Sequence, residues 1–227
     1  MPAANSRAAT VAVVLTVLFL LLLTLIAVDW HPLLSFDRGV DDTLHRWAVA
    51  HHGWTKANRV LTDWIWDPFT MRALLLAAVA WLLWRREWPL ALWVALATAL
   101  ALVLQQGVKA AVGRQRPVWP HPVDSANNAA FPSGHVMTAT VACGLLLWLA
   151  ARHGVRGPVW RLLVGLAVVS VLGVGFTRVY LGVHWPSDVL GGWLLGGALV
   201  AAAIAAYPAF AARFGAPVRP YDERRPR

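Results

Sequence analysis

Six long apolar stretches constrain the fold of this chain more than any other feature. They lie at residues 11–28, 69–84, 89–108, 136–151, 158–176 and 189–212. A helix rises about 1.5 Å per residue, so segments of roughly 16 to 24 residues cross a hydrocarbon core of about 30 Å, the shorter ones with help from their flanks. With 59% hydrophobic and 14% charged residues, the chain is also too apolar for a water-soluble globule. The pattern predicts an all-α, polytopic membrane bundle of six transmembrane helices.

The first apolar stretch has two possible interpretations. Arg7 precedes it, as in a cleavable signal peptide. The stretch is longer than the ~7 to 15 residues of a signal core, however, and Ala27-Val28-Asp29 is a poor cleavage site. We therefore predict a retained membrane anchor.

The distribution of basic residues predicts the orientation of the bundle. With the N-terminus inside, the inner segments hold 11 of the 20 Lys and Arg residues but only three of the 11 acidic residues. Arg85, Arg86 and the arginines of 152–161 lie directly at span ends, where the positive-inside rule is strongest. We expect a multi-pass protein of the inner (plasma) membrane with both termini in the cytoplasm. The net charge of +9 then requires no nucleic-acid partner.

The 40-residue segment between the first two spans, residues 29–68, is too long for a simple turn. Apolar residues recur in it at helical spacing, and polar residues fill the other side. The apolar set is Phe36, Val40, Leu44 and Trp47, and the polar set is Asp37, Arg38, Asp41, Asp42, His45 and Arg46. This pattern predicts an amphipathic helix at the outer interface. No internal repeat or second domain is apparent, so residues 1–227 are expected to form a single membrane-embedded domain.

Metal and thiol chemistry find little support in the sequence. His51 and His52 are adjacent but lack a second ligand pair at metal-binding spacing, so we interpret them, like His45, as solvated interfacial histidines. Cys143 is the only cysteine and lies in the fourth span, where a small apolar filler is the simpler interpretation. We expect no metal, no cofactor and no obligate protein partner.

Three polar clusters interrupt the apolar sequence, and the predicted topology places all of them on the outer side. The first contains Lys109, Arg114, Arg116 and Pro117, the second is Pro132-Ser133-Gly134-His135, and the third contains Thr177, Arg178, His184, Pro186 and Asp188. Each has a plain structural alternative. The cations of the first could snorkel toward lipid headgroups, and Ser133 could be an ordinary helix N-cap. Polar groups inside membrane segments are nevertheless costly and usually functional.

Together the clusters supply the groups that phosphoryl transfer to a histidine requires. Three cations can hold the phosphate oxygens as negative charge spreads over them, with help from a hydroxyl and a backbone amide at a helix start. The cations are Lys109, Arg116 and Arg178, and the helix start is Ser133-Gly134.

Two histidines and a carboxylate complete this set. A neutral imidazole must attack phosphorus while a carboxylate fixes its other nitrogen, and His184 with Asp188 four residues later fits that pairing. A second imidazole must protonate the leaving oxygen and later activate water, which is a role open to His135.

The three clusters resemble the signatures of the type-2 phosphatidic acid phosphatase family, which is related to vanadium-dependent haloperoxidases. The matching pattern is Lys109-x6-Arg116-Pro117, then Pro132-Ser133-Gly134-His135, then Arg178-x5-His184-x3-Asp188. The resemblance implies a six-span bundle and metal-independent lipid phosphatase activity, with a phosphohistidine on His184 and His135 as acid and base. One departure is Thr177, where the family usually has serine, but the hydroxyl is retained.

Three alternatives to this function remain open at the level of sequence. Six spans argue against a soluble haloperoxidase, and a non-catalytic scaffold or transporter would be expected to lack at least one chemical residue. A lipid phosphotransferase would share the first half of the reaction. Among substrates, an undecaprenyl-type pyrophosphate is preferred over phosphatidate or phosphatidylglycerol phosphate, because recycling of polyprenyl carriers is an outer-face task.

Overall fold

The computed structural model describes residues 2–214 of the chain. The predicted cytoplasmic C-terminus and the four arginines of residues 215–227 lie outside the described residues. The described part is helical and contains no strand. Its helices are α1 (Pro2–Ala27), α2 (His31–Ala50), α3 (His52–Val60), a π-helical turn (Leu61–Ile65), α4 (Pro68–Trp84), α5 (Trp88–Val112), α6 (Gly134–Arg152), α7 (Gly157–Tyr180) and α8 (Pro186–Ala212).

Within the described residues, six helical segments are long and apolar enough to cross a membrane, as predicted. They are α1, the continuous segment His52–Trp84, α5, α6, α7 and α8. The helices run beyond the apolar stretches at their polar ends, so that Lys109, Arg178 and Asp188 all lie in terminal helical turns. Backbone hydrogen bonding decides where a helix ends, and it continues past the last apolar side chain.

The C-terminus of α5 directs the chain into the loop of residues 113–133. Gly113 adopts a left-handed conformation with φ 59°, and its N–H donates to the carbonyl of Lys109 at 3.0 Å. This conformation has no steric cost for glycine and is a common way to end a helix. Arg114 and Arg116 follow the turn at once and are thereby placed beside the ends of the other helices.

Glycines on α8 allow α6 to approach it closely. A Cβ atom at Gly192 would lie 3.0 Å from the Ser133 carbonyl oxygen, and one at Gly196 would lie 3.2 Å from that of Met137. Small residues of this kind let helix backbones meet in membrane bundles. The first turns of α6 and α8 are therefore held side by side, and the Ser133 N–H donates to the Asp188 carbonyl at 3.0 Å.

The amphipathic helix predicted before the second span is present as α2, and two acidic residues of its polar set are buried. Asp37 and Asp41 are 1% and 0% exposed, whereas Phe36 and Trp47 are each 60% exposed. The carboxylates face the bundle because Asp37 finds hydrogen-bond partners there, and the aromatic side chains remain on the outer surface of the helix. The interpretation of His45 as solvated was wrong, because its ring is buried.

His45 packs against the loop that follows α5. Its ring stacks on Trp119 with a centroid distance of 4.0 Å, and the Trp119 indole N–H donates to the Gly182 carbonyl at 2.9 Å. These contacts hold α2, the loop of residues 113–133 and the turn after α7 together at one end of the bundle.

Candidate active site

A cavity of about 410 Å³ opens at the end of the bundle where α5 and α7 finish and α6 begins. Residues from the π-helical turn, the loop of residues 113–133 and the α7–α8 turn complete its wall. Six of the predicted site residues line it, namely Lys109, Arg116, Gly134, His135, Arg178 and His184. The remaining two adjoin it, since Asp188 contacts His184 and Ser133 precedes Gly134. The fold thus brings together residues that are up to 79 positions apart in sequence.

His184 is held at both nitrogens in the short turn between α7 and α8. Its Nδ1 lies 3.3 Å from Asp188 Oδ2, and its Nε2 lies 3.0 Å from Arg116 Nη1. Because a guanidinium can only donate, Nε2 accepts this hydrogen bond and Nδ1 carries the proton that is directed at the carboxylate. The lone pair of Nε2 is therefore directed at Arg116, which lines the same cavity as His184.

The environment of His184 also keeps its ring neutral. The residue is 1% exposed, and this burial is the largest cause that lowers the pKa of His184 well below its ordinary value. The positive charges of Arg116, Arg178 and Lys109 lower the pKa further. A neutral imidazole is the form that can attack phosphorus.

Arg116 is fixed on the cavity wall by backbone carbonyls. Nη1 donates to the Val183 carbonyl at 2.6 Å, Nε to that of Asn128 at 2.9 Å, and Nη2 to that of Asn127 at 3.0 Å. A guanidinium anchored in this way keeps its charge in one place, which is what preorganised stabilisation of an anion requires.

The other two cations are buried rather than directed toward headgroups. Lys109 is 7% exposed and donates to the Ala129 carbonyl, and Arg178 is 3% exposed. Arg178 Nη1 lies 3.3 Å from Thr62 Oγ1 and 3.9 Å from Asp124 Oδ2. The position of Lys109 excludes the snorkelling alternative for that residue, since its charge lies inside the protein beside the cavity.

Two buried polar atoms at the cavity have no protein partner within the described residues. They are Ser133 Oγ and Arg178 Nε. Buried polar atoms are almost always hydrogen-bonded, so each such exception needs an explanation. Ser133 occupies the N-cap position of α6, yet its side chain makes no capping hydrogen bond, which excludes the ordinary N-cap alternative. An anion at the N-terminus of α6 would accept hydrogen bonds from both groups.

His135 is the second residue of α6 and lines the same cavity as His184. Its side chain is half-buried, so it can reach a ligand while remaining partly accessible to water. Both imidazoles therefore line one cavity together with the three cations.

The sequence-based prediction missed the residues that surround Asp188. Arg114 Nη1 lies 2.6 Å from Asp188 Oδ1, and Arg114 Nη2 lies 2.8 Å from Asp37 Oδ2. We had placed Arg114 in the first cluster without a role, and Asp37 on the polar side of the interfacial helix. The repeat of Asp37, Asp41 and His45 at four-residue spacing is the signal that could have indicated a buried polar stripe.

The comparison with known families agrees with the resemblance noted from the motifs. A family model described as the PAP2 superfamily matches residues 90–211, which is more than half of the chain. This region contains all eight predicted site residues.

Three curated relatives illustrate the similarity. An undecaprenyl-diphosphatase from Sulfolobus acidocaldarius is 29% identical over 143 residues, which cover 59% of this chain and 59% of the relative. Phosphatidylglycerophosphatase B from Bacillus subtilis is 35% identical over 96 residues, covering 41% and 46% respectively. A decaprenylphosphoryl-5-phosphoribose phosphatase from Mycobacterium tuberculosis is 37% identical over 128 residues, covering 54% and 62%. The chain thus spans less than two thirds of the length of each of these relatives.

A solved structure shares the fold. The crystal structure of a transmembrane PAP2 type phosphatidylglycerolphosphate phosphatase from Bacillus subtilis superposes with a TM-score of 0.66. The match covers 85% of this chain and 94% of that one at 24% sequence identity. At this identity the likeness establishes a common helical architecture.

Proposed function

The chain belongs to the PAP2 superfamily, and from this premise we propose that it is a membrane phosphatase that hydrolyses lipid phosphates through a phosphohistidine on His184. The observation that carries the proposal is the arrangement of His184, which lines a cationic cavity with its unprotonated Nε2 held by Arg116 and its Nδ1 directed at Asp188. The names of the relatives, which include phosphatases and diphosphatases, support the reaction class.

In the first half of the proposed reaction, Nε2 of His184 attacks the phosphorus atom of the bound lipid. The new N–P bond forms as the bond from phosphorus to the leaving oxygen breaks, and His135 donates a proton to that oxygen. Lys109, Arg116 and Arg178 hold the phosphoryl oxygens, with Ser133 Oγ and the start of α6 as further donors. The charge that develops on the phosphoryl group is thereby met by groups already in place.

In the second half, water hydrolyses the phosphohistidine. His135, now neutral, takes a proton from the attacking water, whose oxygen forms a bond to phosphorus as the N–P bond breaks. Phosphate leaves, and His184 returns to its neutral form. Asp188 stabilises the Nδ1–H of His184 throughout, because the ring carries positive charge while it is phosphorylated.

The proposed substrate is an undecaprenyl-type pyrophosphate at the outer face of the inner membrane. The positive-inside distribution supports the outer location, and two relatives named as undecaprenyl-diphosphatases, one putative by its printed name, support the substrate. A phosphatidylglycerol phosphate is the second candidate, supported by the relative from Bacillus subtilis. Phosphatidate and a lipid-linked sugar phosphate complete the set to be compared.

Phosphate release from purified protein against these four lipids tests the reaction and ranks the substrates. We expect release in the presence of a chelator, because Lys109, Arg116 and Arg178 already supply positive charge around the cavity. Loss of activity with EDTA and its rescue by Mg²⁺ would contradict the mechanism. Transfer of phosphate to an added alcohol without free phosphate would instead identify a phosphotransferase.

The covalent intermediate has its own test. Acid-labile, base-stable phosphate is expected on the wild-type protein after quenching with labelled substrate, and none is expected on His184→Ala. His135→Ala is expected to block release of the leaving lipid, which is a lipid monophosphate when the substrate is a pyrophosphate. Equal labelling of wild type and His184→Ala would rule out His184 as the nucleophile.

A further inference from the structure

Asp37 on α2 is connected to the proposed nucleophile although it lies outside the family-matched region of residues 90–211. The connection runs from Asp37 through Arg114 to Asp188 and from there to His184. Every member of this chain of contacts is at least nine-tenths buried, with Asp37 at 1%, Asp188 at 0% and the Arg114 side chain at 10% exposed.

Both oxygens of Asp37 are used in this arrangement. Oδ2 lies 2.8 Å from Arg114 Nη2 and accepts from Ser187 Oγ at 2.5 Å, and Oδ1 accepts from the Ser187 N–H at 3.0 Å. Asp37 therefore binds the first turn of α8 and the guanidinium at the same time. Its partners fix the carboxylate in one orientation.

Arg114 bridges two carboxylates with separate nitrogens. Nη2 contacts Asp37, whereas Nη1 donates to Asp188 Oδ1 at 2.6 Å and to Ser187 Oγ at 2.7 Å. A planar guanidinium held at one nitrogen has little freedom at the other, so its contact with Asp37 determines where Nη1 meets Asp188. The second oxygen of Asp188 is thereby left for His184.

We propose that Asp37 is a positioning residue that acts through Arg114 and Asp188 to hold His184 in the tautomer and orientation needed for attack. The inference rests on the proposed function, because it assumes that His184 is the nucleophile. Asp37 does not line the cavity and contacts none of the cations that face it. Its contribution is therefore expected in turnover rather than in substrate binding.

Of the four acidic residues on α2 and its flanks, two are buried and two are exposed. An exposed one on the same helix therefore provides a matched control. Asp42 lies on the same helix and is exposed, and Asp42→Asn makes the same change of charge and shape as Asp37→Asn. If removing a negative charge from α2 affected activity in general, both variants would lose activity alike. The contact with Arg114, in contrast, is weakened only in Asp37→Asn.

The test is a double-mutant cycle between Asp37→Asn and Asp188→Asn, read as kcat and KM for phosphate release. We expect Asp37→Asn to lower kcat by about 10- to 100-fold with KM unchanged, as outer partners of a functional histidine typically do. In the Asp188→Asn background the same substitution is expected to change kcat by less than about twofold, because its route to His184 is already broken. Asp42→Asn is expected to match wild type.

Two results would overturn the inference. One is an equal loss from Asp37→Asn with and without Asp188, which would indicate independent structural damage. The other is a rise in KM with kcat unchanged, which would place Asp37 in substrate binding. If Asp37→Asn is not recovered folded, Arg114→Lys replaces it in the double-mutant cycle with Asp188→Asn, and the same kcat and KM are measured. A single amine cannot bridge both carboxylates, so this variant breaks the same connection. Activity in His184→Ala would refute the proposed function itself, which keeps the two failures distinct.

Discussion

Nδ1 of His184 lies 3.3 Å from Oδ2 of Asp188, and neither residue is more than 1% exposed. The same Oδ2 accepts the backbone N–H of Trp185 at 2.9 Å. The carboxylate is thus fixed by the start of α8 as well as by Arg114, and it is placed four residues after the imidazole that it orients. A short turn followed by the first turn of a helix is sufficient to build this pair.

Asp188→Asn tests that relationship directly. We expect kcat to fall by roughly 10³- to 10⁴-fold, because the amide can donate to Nδ1 and so stabilise the tautomer whose Nε2 carries a proton. The measurement is the initial rate of phosphate release, with thermal unfolding in detergent as the check on folding. A folded variant that loses less than about tenfold in rate would show that the carboxylate does not determine the tautomer.

The lowered pKa of His184 predicts activity at acid pH. An ordinary histidine with a pKa of 6.5 becomes protonated, and loses its nucleophilic lone pair, as the pH falls through that value. Burial and the neighbouring cations keep His184 neutral below it. We therefore expect the acidic limb of kcat/KM to have its midpoint below pH 6.5, although the apparent value belongs to the coupled pair of histidines. A midpoint above 6.5 would contradict the arrangement.

The cationic cavity predicts competitive inhibition by vanadate, which resembles the phosphoryl group in its transition state. Arg178→Ala removes one hydrogen-bond donor from the cationic cavity and is expected to weaken vanadate inhibition and lower kcat by about 10²-fold. Arg38→Ala, which removes an exposed arginine outside the cavity, serves as the control. Equal inhibition of wild type and Arg178→Ala would indicate that vanadate binds elsewhere.

The helical bundle could be predicted from the sequence because apolar length alone identifies a membrane span. The motif residues could be predicted to form one site because they lie at the ends of these spans. Since successive spans run in opposite directions, those ends meet on the same side of the membrane. The predicted topology, for example, places Lys109, His135 and Arg178 on one face of the membrane.

The orientation of α2 could not be predicted in the same way. Its apolar and polar faces are both evident in the sequence, but periodicity does not state which of them meets the bundle. That choice depends on Arg114 and Ser187, which donate hydrogen bonds to Asp37 from 77 and 150 residues away in the sequence. Pairing between distant polar residues leaves no local pattern, so the link between α2 and Asp188 was visible only in the structure.

The predicted orientation of the bundle can be tested with reporter fusions. We expect a reporter fused after Arg227 to read as cytoplasmic, because the inner segments carry 11 of the 20 basic residues. A reporter inserted at Val118, which is 89% exposed in the loop beside the cavity, is expected to read as extracytoplasmic. The opposite pair of signals would place the cavity on the cytoplasmic side and remove the argument for an outer-face substrate.

Asp41 on α2 is an acidic residue that is buried without a hydrogen-bond partner among the described residues. It is 0% exposed, and neither carboxylate oxygen has a hydrogen-bond partner among the described residues. Burial first, and then the negative charges of Asp188 and Asp37, raise the pKa of Asp41 from 3.8 to about 8. The carboxyl group is therefore protonated in the folded protein at neutral pH, whereas it would be ionised in the unfolded chain.

This difference predicts how stability depends on pH. Between pH 3.8 and about 8 the folded state binds one more proton at Asp41 than the unfolded state, so the contribution of this group to stability is complete below 3.8 and is lost as the pH rises through the folded pKa of about 8. Asp41→Asn stays neutral throughout. We expect its Tm to rise relative to that of wild type as the pH increases across this window, with Asp42→Asn as the control. A difference in Tm that is constant with pH would mean that Asp41 is ionised in the folded protein and has found a partner there.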